Sequence, residues 1–232
     1  MAAGERLYAL TSALSLEPIN FPHGEGPYPW EPDMQWTWNA LPEMALYYNG
    51  TEVSAYALHP DGRTIFVSSP YSTCSWDTST GASKDLGYWA LPFSGQAYYD
   101  ADLDAWVGLH HSRYGHVCCC PVVSRSSARQ EPPGCQMLLE KLARRKEDPT
   151  THSPLLRPGE KSSLTYMRDS RYALFENILR GKDHDDGAVL HVTLFGLKYD
   201  HNGELRTKVL RSTRSYVVSK NTNKFSHTAF WL

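Results

Sequence analysis

Between Val53 and Phe93 the chain reads VSAYALHPDGRTIFVSSPYSTCSWDTSTGASKDLGYWALPF: apolar and polar residues alternate, turn at His59-Pro60-Asp61-Gly62, and alternate again. Period-two alternation in short runs bounded by Gly, Asp, Asn or Ser predicts half-buried antiparallel strands. The pattern recurs in GQAYYDADLDAWVGLHH, GHVCCCPVVS, SSLTYMRDSRYALFENIL, AVLHVTLFGLKYDHNGELRTKVLRS and TRSYVVS. Upstream, ERLYALTS, QWTWNALP and MALYYNGTEVSAYAL share it, with a tight turn expected at Asn49-Gly50. Asn20 to Pro32 holds four prolines and two glycines and reads as loop. One helix is expected, over Gly134 to Pro149, where Met137, Leu138, Leu139 and Leu142 fall near one face and Pro149 ends the run. Flanked by segments rich in Ser, Pro and charge, it sits in a stretch, 124–163, that reads as an insertion in a single domain spanning 1–232.

Two repeats organise the strands. Ala40-Leu41-Pro42 recurs as Ala90-Leu91-Pro92, fifty positions on, each followed by paired tyrosines, Tyr47-Tyr48 and Tyr98-Tyr99. A period of about fifty is that of a kelch-type propeller blade. In addition, SAYALHPDGRTIFVS, GQAYYDADLDAWVGL and SLTYMRDSRYALFE share one plan. Each runs apolar strand, acidic turn, apolar strand; Tyr56, Tyr98 and Tyr166 open the three, and Phe66, Trp106 and Tyr172 answer them. A four-stranded antiparallel unit cannot bury both faces alone, whereas radial stacking buries each face on a neighbour. The expected fold is therefore all-β, a kelch-like propeller or partial propeller of four-stranded units. In its first unit AYAL and TIFVS would be inner strands, TCSWDT the next, and GYWALP the outer strand.

Composition agrees with a globular β protein: of 232 residues 41% are hydrophobic and 21% charged, with Trp 7, Tyr 14 and Phe 7. The net charge of -2 offers no basic face, so nucleic acid is not an expected partner. No apolar run is long enough to cross a bilayer, and Glu5-Arg6 interrupts any leader-like start, so no membrane association is expected. Five cysteines, three of them adjacent at Cys118-Cys119-Cys120, do not form a secreted disulfide framework. The expected location is intracellular, in cytoplasm or nucleus.

At DGRTIFVSSPYSTCSWDTSTG, GYWALPFSGQAYYDADLDAWVGL, GHVCCCPVV, SLTYMRDSRYALFE and LFGLKYDHNGELR the chain resembles a large plant family of unassigned function, catalogued as domain of unknown function 1668. The resemblance covers most of Val53 to Arg214. It implies a kelch-like or F-box-associated-like propeller and brings no catalytic site with it. Two departures stand out: the double glycine of a kelch blade is missing, with only Gly62 before RTIFV, and family members look longer at the N-terminus. A shortened member whose wheel does not close is the expectation. No F-box-like helical segment precedes the strands, so an adaptor role in ubiquitin ligation is not expected.

Candidate chemistry is sparse. In HHSRYGHVCCC, a strand would point His116, Cys118 and Cys120 to one side, with His110 or His111 approaching across the hairpin. Imidazole and thiolate are the ligands zinc prefers, yet the spacing matches no CxxC pair and buried cysteine packs as a small hydrophobe. Core packing is the expected role. KDHDDG, Lys182 to Gly187, lacks the closing glutamate of a calcium loop and reads as a hairpin tip, as does YDHNGE, Tyr199 to Glu204. Asp100, Asp102 and Asp104 alternate like paired acid/base carboxylates but suit a strand turn better. Trp30, Trp36 and Trp38, beside the Pro-rich loop, form a candidate interaction patch. The expected function is a non-enzymatic module that binds a protein partner through its loops, with no cofactor. Its rivals are a hydrolase or sugar-active enzyme on the same scaffold, a metal-binding protein and a degenerate family copy.

Overall fold

Where one strand of the alternating pattern returns on the next, antiparallel meanders result. In the computed structural model, which describes residues 2–3, 6–7, 53–144, 161–179, 187–208 and 211–219, every regular element is a strand. Two dipeptide strands, β1 (Ala2–Ala3) and β2 (Arg6–Leu7), pair with each other. The first unit comprises β3 (Ala55–Leu58), β4 (Thr64–Ser68), β5 (Thr73–Asp77) and β6 (Ser83–Gly87). The second comprises β7 (Gly95–Asp100), β8 (Ala105–Leu109), β9 (Val117–Pro121) and β10 (Gln136–Met137). The third comprises β11 (Lys161–Tyr166), β12 (Arg171–Leu179) and β13 (Ala188–Tyr199), whose far edge is shared by β14 (Leu205–Thr207) and β15 (Ser212–Ser219).

The first strands of the first two units pair in parallel, from Ala55↔Gly95 to Ala57↔Ala97. This makes one eight-stranded mixed sheet, in the order β10-β9-β8-β7-β3-β4-β5-β6, beside the separate five-stranded antiparallel sheet of the third unit. The fold is all-β. Among the described residues the units form two separate sheets and no closed propeller ring. The three hairpin plans fall where the alternation puts them: Tyr56, Tyr98 and Tyr166 lie on β3, β7 and β11, and Phe66, Trp106 and Tyr172 on β4, β8 and β12. Ala40-Leu41-Pro42 and the Asn49-Gly50 turn lie outside the described residues.

Two cores explain the stacking. Ala55, Ala57, Phe66, Leu86, Trp89, Leu91 and Phe93 pack on Trp106, Cys118 and Cys120 of the second unit. Its opposite face, with Ala105, Val107, Leu109, Val117 and Cys119, packs on Leu164, Tyr172, Leu174, Phe195, Leu197 and Leu205 of the third. Strict alternation along β8 and β9 thus sends successive side chains into different cores. Every residue from Ala105 to Leu109 is buried, and every one from Val117 to Cys120. Gly108 is needed because a Cβ there would meet Phe93 Cδ1 at 2.6 Å.

Two local expectations are corrected. Over the described residues 134–144 there is no helix; Gln136 and Met137 extend the second sheet by pairing with Cys119 and Cys118. The leucines that suggested one helical face are divided instead: Leu138 and Leu142 enter the core while Leu139 is 69% exposed. The free edge of β9 offers main-chain partners, and Leu138 N donates to Val117 O at 2.9 Å, an alternative that Pro132, Pro133 and Gly134 favour. The segment read as an insertion therefore supplies the fourth strand of the middle unit and part of its core. The outer strand of the first unit is Ser83–Gly87, not GYWALP. Trp89 and Leu91 plug the core from the connection to β7, held by Thr73 Oγ1 donating to Trp89 O at 2.6 Å.

The turns follow from short polar side chains. Asp61 accepts from Arg63 N at 3.0 Å and from Thr64 N at 2.9 Å and Oγ1 at 2.7 Å. Arg125 Nη1, from the segment after β9, adds a 2.9 Å contact to the same carboxylate. Partial burial pulls the Asp61 carboxyl upward, but the Arg63 amide, the Thr64 hydroxyl and amide, and His59 together hold it well below the usual range. Asp200 organises the last hairpin likewise, accepting from Asn202 N and Glu204 N, with Gly203 at φ +76°. Gly115, at φ +69°, closes the β8–β9 turn where a Cβ would collide with that of Ala143.

Two predictions follow from these turns. Gly115→Ala should cost about 3 kcal/mol or more in urea unfolding, since it combines strain and overlap; Gly62→Ala, at φ +72° in open space, should cost only about 1 kcal/mol. A carboxylate held low in the folded state contributes stability above its unfolded value of about 3.9 and loses it as pH falls through the folded value. Asp61→Asn should therefore lower stability at pH 7 by about 1–2 kcal/mol and flatten the acid limb of the stability curve below about pH 4, measured by denaturant titration at a series of pH values.

Candidate functional site

Two polar constellations lie on the middle unit. The first grows from β7, whose last residue, Asp100, is wholly buried. Its Oδ1 accepts from Asp102 N at 3.0 Å, which shapes the turn into β8, and from Ser170 Oγ at 2.9 Å. Its Oδ2 accepts from Tyr172 OH at 2.6 Å. Ser170 also donates to Asp102 Oδ2 at 3.2 Å, while Asp104 accepts from Tyr99 OH at 3.0 Å. The alternating aspartates are thus taken up by structural contacts, and Asp100 binds the third unit to the second. Burial and the hydrogen bond to Asp100 push the Tyr172 phenol far above its ordinary value.

The turn that Asp100 grips is unusual. Arg168, Asp169 and Ser170 adopt φ of +68°, +52° and +54° in succession, each costing an L-residue about 1–2 kcal/mol. Ser170 O accepts from Leu197 N at 2.9 Å, and Met167 N donates to Arg171 O at 2.8 Å, so both neighbouring strands hold the turn. A row of rings continues from it, Tyr98 to Tyr166 to Tyr172 to Phe195, with centroids 6.3, 5.1 and 5.7 Å apart. It joins the first strand of the second unit to the third unit.

The second constellation is a cleft of about 300 Å³ at the β9–β10 edge, lined by Asp104, Cys119, Cys120, Cys135, Gln136 and Tyr199 among others. All five cysteines are free thiols; four are buried and Cys135 is exposed. Cys119 Sγ lies 3.5 Å from Tyr199 OH. Burial raises the Cys119 and Cys120 thiols. The neighbouring Cys135 thiol, and then burial, push the Cys118 thiol up, while Cys118 pulls the Cys135 thiol down.

The residues singled out in the sequence divide as follows. Cys118 and Cys120 share one face of β9, as the alternation requires, and that face enters the core with the first unit. His110 and His116 meet across the β8–β9 turn through the main chain, His110 N donating to His116 O at 2.8 Å. His110 Nδ1 accepts from Ser112 N and Arg113 N, both at 3.2 Å, and its ring stacks on His111 at 4.9 Å. Among the described residues no three His, Cys, Asp or Glu side chains converge in a form that could hold a metal ion. Trp30, Trp36, Trp38 and Lys182 to Asp186 lie outside the described residues. Sequence reasoning missed Cys135, because a helix would have turned it away from β9, and missed Ser170 as the partner of Asp100.

Fold and sites together define an all-β protein, an eight-stranded mixed sheet beside a five-stranded antiparallel one, joined by a buried polar clamp at Asp100. Residues 1–216 match the family described as protein of unknown function (DUF1668), and the chain belongs to that family. No curated protein matches it.

The clamp is testable by unfolding. Tyr172→Phe should cost about 1–3 kcal/mol, and Asp100→Ala more, about 3–5 kcal/mol, because it strands the Tyr172 hydroxyl and takes the acceptor from the Asp102 and Leu103 amides as well. The double variant should cost clearly less than the sum of the two, as read from a urea double-mutant cycle.

Proposed function

We propose that the chain is a non-enzymatic, propeller-like interaction domain that holds a protein partner on its loops. Supporting the architecture, the opening strands β3, β7 and β11 of three consecutive units are neighbours: β3 pairs with β7, and the Tyr98 and Tyr166 rings meet between β7 and β11. Adjacent opening strands are what a partial wheel would require. A rigid stack of this kind presents its connecting loops as the adaptable surface. Free thiols throughout suit a reducing, intracellular compartment.

The observation that carries the reading is a pair of exposed aromatics. Tyr71, in the β4–β5 turn, is 69% exposed, and Tyr88, directly after β6, is 73% exposed. The Thr73↔Gly87 pairing brings these two loops to one end of the first unit. Tyrosine buries large area on few rotatable bonds, and a docked partner would gain from both. Affinity capture with the full chain tests it. Wild type should retain a specific protein that Tyr71→Ala/Tyr88→Ala loses by about tenfold or more, at an unchanged unfolding midpoint. Equal retention by the two proteins would remove this surface from the reading.

A further inference from the structure

We propose that Cys120 and Cys135 form a redox-sensitive staple, a modification site at which a low-molecular-weight disulfide converts two free thiols into one cross-strand bond. The geometry comes from main-chain pairing. Gln136 lies opposite Cys119 and Met137 opposite Cys118, and the next pair outward is Cys135 with Cys120. Cys120, Pro121, Gly134 and Cys135 line one cleft, so the two segments still run side by side at that pair. Leu138 N donates to Val117 O at 2.9 Å, which makes Leu138 with Val117 a hydrogen-bonded pair of the antiparallel ladder. By alternation Gln136 with Cys119 is hydrogen-bonded too, and Cys135 with Cys120 is not. In a pair of that second kind the Cα atoms stand about 4.5 Å apart, and the side chains lie close together on one face.

Distance selects the partner. A disulfide spans Cα atoms about 4.4–6.8 Å apart, which admits the residue directly opposite. Cys118 is diagonal to Cys135, and diagonal neighbours stand about 7–8 Å apart. Cys119 turns to the other face, where its sulfur lies 3.9 Å from Gln136 Oε1 and 3.5 Å from Tyr199 OH. Met137 packs against the core that holds Cys118 and Cys120, which fixes the face that Cys135 shares. Access then sets the order of events. Cys135 is exposed and Cys120 is buried, so Cys135 meets the reagent and Cys120 closes the bond.

The bond closes a ring, residues 120–135, that crosses the first unit. Ser75 Oγ donates to Arg125 O at 3.0 Å, and Arg129 N donates to Leu86 O at 2.8 Å. Oxidation therefore ties both ends of this strap to β9. The chemistry balances with oxidised glutathione as reagent. The Cys135 thiolate attacks one glutathione sulfur; a mixed disulfide forms, the reagent's S–S bond breaks, and the departing thiolate takes up the Cys135 proton. The Cys120 sulfur then attacks Cys135; the protein disulfide forms, the mixed disulfide breaks, and the second glutathione leaves with the Cys120 proton. Two protein thiols are oxidised and one glutathione disulfide is reduced to two thiols. Excess thiol reverses the product.

The test is peptide mapping of the full chain in native buffer after incubation with oxidised glutathione, alkylation of remaining thiols and tryptic digestion without reductant. The expected product joins residues 114–125 to residues 130–141 and disappears on reduction. Fragmentation of that product should find Cys118 and Cys119 alkylated and the link at Cys120, in the wild-type protein and with no variant needed. Cys118→Ser should keep the link. Cys120→Ser should remove it and leave Cys135 as the mixed disulfide with glutathione. A link at Cys118 or Cys119, or no link between the two peptides, would overturn the proposal.

Discussion

The middle unit must be apolar on both faces, and the rest of the structure depends on that constraint. From Ala105 to Leu109 and from Val117 to Cys120 every residue is buried. A sheet built this way has no stable existence by itself; it needs a layer on each side. Phe66, Trp89 and Phe93 supply one, and Tyr172, Leu174 and Phe195 the other. The three successive cysteines are a consequence: small, apolar side chains fit a strand compressed between two neighbours. Stacking of units and composition of β9 are the same fact seen at two scales.

Hydrophobic burial alone does not fix how one layer sits on the next, because it has no direction. Direction comes from the Asp100 carboxylate. It is buried with donors from its own turn and with hydroxyls from Ser170 and Tyr172 of the facing unit, so a shifted docking would leave a charge unmatched. The left-handed run at Arg168–Ser170 is held in the same way: its strain, about 1–2 kcal/mol per residue, is offset by charge-assisted hydrogen bonds of comparable size. The first unit also meets the segment beyond β9 through an exposed ion pair, between Arg125 and Asp61 in the β3–β4 turn.

Much of this was legible in the chain. The hairpins at Tyr56, Tyr98 and Tyr166 were visible because period-two alternation is local, and the Asp61 and Asp200 turns because their donors lie two to four residues away. The strand expected at Ala90-Leu91-Pro92 is instead part of a buried connection, because a plug and an outer strand carry the same apolar residues. The 134–144 segment failed as a helix for a related reason. Leu138, Leu139 and Leu142 satisfy a helical face, and only the open edge of β9 decides otherwise. Asp100 could be seen as a turn residue, yet its partners lie 70 and 72 positions away and leave no local trace. For the site, the sequence drew attention to Cys118 and Cys120 but not to Cys135, which lines the cleft at that same edge.

The third unit departs from the other two in its outer strand, and the departure follows from length. At twelve residues β13 is too long for one short return. The Asp200–Glu204 turn sends β14 back along Leu197–Tyr199 only, and β15 then takes up Ala188–Leu194. The edge that results is broken, which discourages another sheet from adding to it strand by strand. Its far face still carries Leu194 and Tyr216, 42% and 47% exposed, so the described residues do not complete the stacking logic of the middle unit there. A series of layers needs polar ends, and this end is only partly polar, with Arg214 beside the exposed tyrosine. Among the described residues, a middle layer sealed on both faces thus stands beside a third layer whose outer face keeps an apolar share.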